Sequence, residues 1–251
     1  MDAGRVSALA AELAARAKAW EAAQTQDSAQ TAARRPYLVG VAGVPGAGKS
    51  TLAMACAAAL REELGVDALA VPMDGYHYSK AELDKFEDPE EAHFRRGAAF
   101  TFNGPKFLAD LQALVQNPEK EHKFPAWSHE IGDPIEDGIV VDSKRDRIVI
   151  VEGNYLLLDT PEPWPEFRKI FDETWFIKVD IETAVQRTAV RNAAAFGWTL
   201  ERTMARTRAT DEVNMRQIVA ANPEKIATLI IENPDREAAA STPDVKKAAC
   251  D

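Results

Sequence analysis

Cysteine is nearly absent: two in 251 residues, Cys56 and Cys250. Two thiols build no disulfide framework, and a reducing compartment suits such a chain. Long apolar runs are missing too. No stretch approaches the ~20 residues that a membrane-spanning helix needs, and no continuous apolar signal core opens the sequence. Positive charge is in deficit, with 30 Lys and Arg against 40 Asp and Glu, a formal net charge of −10. That balance offers no basic footprint to nucleic acid or to an anionic membrane. The four histidines do not show metal-ligand spacing. The opening segment is rich in Ala and Arg, as mitochondrial transit peptides are, yet it carries Asp2, Glu12, Glu21 and Asp27, and such peptides are poor in acids. The expectation is a helix packed on the domain, and a cytoplasmic protein.

What is present is an ordinary globular balance, 46% apolar and 28% charged, enough for one large α/β domain. Val6, Leu9, Leu13 and Ala17 recur at helical spacing over residues 6–20, and a polar linker follows. "YLVGVA" reads as a buried strand, 49–64 as a helix stopped by Gly65, and "VDALAVP" as a strand whose Pro72 belongs at an end or an edge. Ser79 and Glu82 suggest a capping box. Residues 88–105 read as a loop, 106–115 as a helix, and 118–142 as an excursion bearing a hairpin. "RIVIVEG" and "ETWFIKVD" are further strands. Asp180 opens a helix over 181–196, residues 199–221 read as one arginine-rich helix, and "KIATLIIEN" supplies the last strand. Strands alternating with helices predict a mainly parallel sheet. The organisation expected is a helix and linker over 1–35, a core domain over 36–233, and a mobile tail over 234–251.

The chemistry concentrates in "GVPGAGKST", residues 43–51. Gly43, Gly48, Lys49 and Ser50 satisfy G-x-x-x-x-G-K-[ST], with a strand before and a helix after, as the mechanism requires. The glycines let Val44, Pro45, Gly46 and Ala47 curl their N–H-bearing backbone around phosphate oxygens, and the helix N-terminus adds partial positive charge. Lys49 would reach the β- and γ-phosphates, the Ser50 hydroxyl would hold Mg²⁺, and Thr51 continues the cradle. A chain of this length meets the pattern by chance about 1% of the time. The N-K-x-D guanine motif of a GTPase is absent.

A kinase needs three more groups. Glu152 follows the "IVIV" run at the carboxyl end of a strand, where it could face the metal; a turn acid is the plainer reading. Asp74, in "MDGYH", would project from the same edge to orient an acceptor hydroxyl and take its proton late, although Asp-Gly is also simply a good turn. Arg187 and Arg191 lie four apart on one helix face and could close over the γ-phosphate, or could equally form a solvated face. Arg202, Arg206 and Arg208 are weaker candidates.

These motifs, with "VPMDGYHY", "AFTFNGPKFL", "FPAWSHEIGDP", "IVIVEGNYLLL" and "TDEVNMRQI", resemble the uridine kinase, phosphoribulokinase and bacterial pantothenate kinase group of P-loop kinases over residues 37–233. The resemblance implies a P-loop fold with five parallel strands in the order 2-3-1-4-5, flanked by helices, and a helical lid over about 184–214. It implies ATP with Mg²⁺ held by Ser50 and Glu152. Asp74 would be the catalytic base, Lys49, Arg187 and Arg191 would handle phosphate, and Tyr76 and His77 would line the acceptor pocket. Asn103 stands where relatives often have aspartate. "PAW" followed by Ser128 lacks the acid that uridine kinases usually carry there, which leaves Trp127 as a stacking face or an apolar wall.

The leading expectation is therefore a small-molecule kinase acting on a hydroxyl, first a nucleoside. Pantothenate, a sugar or a sugar acid is the alternative on the same fold; Arg95 and Arg96 would favour an anionic acceptor if they point inward. His129 could join recognition. A nucleotide-binding regulator without chemistry is a third reading, set back by the presence of both Asp74 and Glu152.

Overall fold

The computed structural model describes residues 2–27, 34–128 and 130–233; the expected tail, Cys250 and His129 lie outside them. In chain order the elements are α1 (Ala3–Asp27), β1 (Tyr37–Gly43), α2 (Lys49–Leu64), β2 (Ala68–Pro72), α3 (Lys80–Leu83), α4 (Pro89–Phe94), α5 (Gly104–Gln116), β3 (Glu121–Ser128) and β4 (Asp133–Asp142). Then come β5 (Ile148–Gly153), α6 (Trp164–Phe167), β6 (Glu173–Lys178), α7 (Ile181–Phe196), α8 (Leu200–Ala209), α9 (Asp211–Ala220) and β7 (Leu229–Glu232).

Five strands form one parallel sheet in the order β2-β5-β1-β6-β7. This is the expected 2-3-1-4-5 arrangement, with the Pro72 strand at an edge where its missing N–H costs no ladder bond. Every residue of β1 and β5 is buried, which is why both read as unbroken apolar runs rather than alternating ones. The hairpin β3–β4 stands as a separate two-stranded antiparallel sheet.

Helix α2 starts and stops where its spacing predicts. Gly65 takes φ 65° and returns its N–H to the Leu60 carbonyl, the left-handed cap that glycine adopts without steric cost. The Ser79–Glu82 capping box is formed in both directions. Helix α1 is part of the same core. Val6, Ala10, Leu13 and Ala17 are buried against it, and Arg16 pairs with Glu173 of β6 at 2.8 Å.

Two expectations need correction. Residues 88–105 are not all loop, because Asp88 caps α4 with Pro89 in its first turn, a start signal that outweighs the short length. Residues 199–221 are not one helix. Thr210 leaves helical geometry at φ −123° and ψ −71°, with its hydroxyl on the Arg206 carbonyl, so α8 and α9 meet at a break. Among the described residues no helix is long and apolar enough to cross a membrane.

Leu13 is fully buried whereas Val190 is 56% exposed. Leu13→Ala should destabilise the protein by about 2–5 kcal/mol, and Val190→Ala by about 0.5 kcal/mol or less, both read from urea unfolding. Equal effects would mean that α1 is not docked on the core.

Candidate active site

The site is assembled by register. Val41 of β1 and Pro72 of β2 both pair with Glu152 of β5, so Gly43, Glu152 and the residues after Pro72 come to one edge. In open α/β sheets that carboxyl edge receives the ligand.

The turn from β1 into α2 passes through Gly46 at φ 78° and Gly48 at φ 94°. A Cβ on Gly46 would lie 2.6 Å from the Ala184 carbonyl and 2.7 Å from Thr188 Oγ1 of α7. No side chain caps α2, so its first-turn N–H groups and the helix dipole are disposed to meet phosphate oxygens. The loop is braced from within and without. The Ala47 N–H donates to the Val44 carbonyl at 3.1 Å, and Asn233 Nδ2 donates to the Ala47 carbonyl at 2.8 Å.

Lys49 and Glu152 are both buried, 8% and 4% exposed. Lys49 Nζ donates to the Val44 carbonyl at 3.1 Å, and Ser50 Oγ donates to Glu152 Oε1 at 2.7 Å. Burial pushes the Glu152 carboxyl up, to about 7, while the Lys49 ammonium pulls it down and Asp74 adds to the rise. Burial likewise pulls Lys49 below its ordinary value, opposed by Glu152 and Asp74. Asp74 thus lies within electrostatic reach of both.

Asp74 occupies a short 3-10 turn, Met73–Tyr76, directly after β2. Its main-chain carbonyl accepts from His77, with the Nδ1 contact at 2.9 Å. Its carboxylate makes no hydrogen bond or ion pair among the described residues. Gly75 allows this placement, because a Cβ there would lie 2.2 Å from the Pro125 carbonyl of β3.

Beyond Asp74 the expected acceptor residues divide. His77 packs on Phe102 at 3.9 Å and on Trp127 at 4.7 Å between ring centroids. Arg96 lies over Trp127 at 5.2 Å and is held by Asp133 at 2.5 Å and by the Tyr78 and Gly132 carbonyls. Arg95 Nη2 reaches Asn214 Oδ1 at 3.3 Å and Nη1 lies 3.7 Å from Glu91 Oε1, while its Nε is buried without a hydrogen-bond partner among the described residues. Tyr76 is 2% exposed, stacked on Phe107 with its hydroxyl on Asp110, so it backs the turn rather than lining an open wall. The Asn103 side chain caps α5 by accepting from the Lys106 N–H at 3.1 Å.

On α7, Arg187 donates to the Asn233 carbonyl at 3.2 Å. Arg191 is exposed, and its charge acts on both Lys49 and Asp211.

Three groups at this edge were not singled out from the sequence. Asn154 Oδ1 is buried without a partner. Tyr155 is fully buried and donates to the Gly97 carbonyl at 2.6 Å. Burial raises the Asp211 carboxyl, with Arg191 and Arg206 opposing. The signal for the first two was their place beside Glu152 at a strand end, and for Asp211 and Asn214 their place in "TDEVNMRQI", although their contacts form only once α9 is folded against α4.

No family model matches the chain. Over 180 residues it is 40% identical to "Putative uridine kinase C227.14" of Schizosaccharomyces pombe, covering 71% of this chain and 76% of that protein. The chain belongs to the uridine kinase/phosphoribulokinase family of P-loop kinases. It is 34% identical over 189 residues to "ATP-dependent kinase YFH7" of Kluyveromyces lactis, spanning 60% of this chain and 53% of that one. Among solved structures it superposes with a TM-score of 0.72 on the "putative fructose transport system kinase" of Silicibacter sp. TM1040, at 28% identity, over 90% of this chain and 98% of that one.

For this P-loop kinase the close approach of α7 to Gly46 is a sensitive point. Gly46→Ala should weaken nucleotide binding by about tenfold or more with the fold retained, as titration with a fluorescent ATP analogue and circular dichroism would show. Unchanged affinity would mean that α7 does not buttress the cradle.

Proposed function

We propose that this kinase transfers the γ-phosphoryl group of ATP to a hydroxyl of a small molecule. The observation that carries the reading is Asp74, a carboxylate without a hydrogen-bond or ion-pair partner among the described residues, at the carboxyl edge and within electrostatic reach of Lys49 and Glu152. In the transfer the bond from phosphorus to the ADP oxygen breaks, the bond to the acceptor oxygen forms, and the hydroxyl proton passes to Asp74. A carboxylate is a weak base for an alcohol, but the loose transition state asks for the proton late and asks mainly for alignment. Lys49 and the first-turn N–H groups of α2 steady the charge on the phosphates, and α7–α9 act as the lid that brings Arg191 to them.

Ser50 Oγ and Glu152 Oε1 form an adjacent pair of hard oxygen donors, a set that suits Mg²⁺. These two residues would hold the ion, which when bound neutralises phosphate charge.

For the acceptor, a nucleoside is the leading reading. The name of the fission-yeast relative supports it, as do the aromatic group His77, Phe102 and Trp127 and the unpartnered Asn154 Oδ1, an acceptor for an N–H or a hydroxyl. One observation favours a sugar acid instead: the buried, unpartnered Nε of Arg95 would suit a carboxylate.

Asp74→Asn should lower kcat by about 10²–10⁴-fold with the acceptor that supports the fastest ADP release, while the Kd for ATP stays within about twofold. Gly75→Ala should lower kcat in the same direction by displacing Asp74 against Pro125, again sparing ATP affinity. Turnover unchanged in Asp74→Asn would refute the role given to its carboxylate.

A further inference from the structure

At the opposite end of the sheet, where the chain enters β1 and β5, lies a cavity of about 310 Å³ lined by Arg34, Pro118, Ser143, Lys144 and Arg147. Strand β1 has seven residues, and at ~3.3 Å per residue the cavity stands roughly 20 Å from the phosphate cradle. It is separate from the site described above.

Its lining is unusual for this protein. Of the five described residues that line it, three are cationic and none is acidic, in a chain of net charge −10. Two nearby acids, Asp142 and Asp146, are committed within the turn that closes β4. Asp142 Oδ1 accepts from the Lys144 N–H, while Asp146 accepts from the Asp142 N–H and from the Arg145 guanidinium. The backbone of this turn is fixed as well, with the Arg145 and Asp146 N–H groups both on the Asp142 carbonyl. Ser143 and Lys144 are therefore held in place rather than left on a loose loop.

Two features point to a ligand. Ser143 is 3% exposed, yet its Oγ has no hydrogen-bond partner among the described residues, although a buried hydroxyl is normally satisfied. The Lys144 ammonium and the Arg34 guanidinium make no ion pair among the described residues. Arg147 pairs with Glu21 of α1, and its backbone joins the approaches to three strands by donating to the Asp67 carbonyl and accepting from the Tyr37 N–H.

We propose that this cavity is a second anion site, taking a small molecule that carries a phosphate group. Lys144 and Arg34 supply its counter-charge, the Ser143 hydroxyl donates a hydrogen bond to a phosphate oxygen, and the guanidinium of Arg147 completes the wall. The volume admits a phosphate with a small organic body. A ligand there ties α1 to the starts of β1 and β5 and raises the stability of the folded chain.

The test uses the full chain carrying Lys49→Ala, which removes the cradle's main phosphate ligand, and titrates it calorimetrically with inorganic phosphate and with glycerol 2-phosphate. One saturable site is expected for both probes, with a higher melting temperature when they are bound; tighter binding of glycerol 2-phosphate would identify an organic phosphate as the ligand. Adding Lys144→Glu should weaken binding by about tenfold or more, and Ser143→Ala several-fold, while Ser143→Ala without phosphate melts no lower than its parent. Lys85→Glu, a charge reversal in the turn that follows α3, should leave binding unchanged. Absence of a saturable site, indifference to Lys144→Glu, or an equal loss with Lys85→Glu would overturn the proposal.

Discussion

The parallel register at Glu152 is the constraint on which the rest of the molecule depends. Val41 lies beside it on one side and Pro72 on the other. A slip of one residue in either pairing would turn Glu152 to the opposite face of the sheet and separate it from Ser50. Register in turn is held by burial. With β1 and β5 covered on both faces, any shifted pairing would break ladder bonds with no water to replace them. The site is thus a consequence of the core, with Asn233, α7 and the β3 hairpin bracing its three strand ends.

Electrostatics then sort the edge. The chain as a whole is acidic, but at the cradle one buried ammonium faces two carboxylates, Glu152 and Asp74, that differ in what they touch. Glu152 accepts from Ser50 and its carboxyl is pushed up by burial; the Asp74 carboxylate has no hydrogen-bond or ion-pair partner among the described residues. Two acids far apart in the chain thus come within electrostatic reach of one cation, and the proposed division sets Glu152 on the phosphate side and Asp74 toward the acceptor. The difference follows from where each strand stops, since β2 ends before Asp74 whereas β5 includes Glu152. Arg191, exposed on α7 yet felt by Lys49, adds positive charge that the closed cleft would need.

Much of this was legible in the sequence because it rests on local rules. Fully buried parallel strands read as β-branched runs, the cradle requires glycine and lysine at fixed offsets, and Gly65, Asp180 and the Ser79–Glu82 pair mark helix ends by backbone chemistry alone. The fold order came with the family resemblance and stands in the sheet as expected. What was hidden depends on neighbours distant in the chain. Whether Tyr76 faces a ligand or Asp110, and whether Arg96 is free or locked between Asp133 and Trp127, is decided by where α5 and the hairpin pack. Asn103 was expected in the acceptor pocket, and only the folded chain shows its side chain capping α5. The break at Thr210 and the pairing of Arg95 with Asn214 arise only once α8 and α9 fold back toward α4.

The most direct test of phosphoryl transfer at this edge is ADP release from Mg·ATP across nucleosides, pantothenate, sugars and sugar acids. The account predicts that at least one acceptor class raises release well above the rate with ATP alone, and that the acceptor itself gains a phosphate. ATP bound tightly with no acceptor in any class raising release would contradict it and leave a nucleotide-binding protein without transfer chemistry.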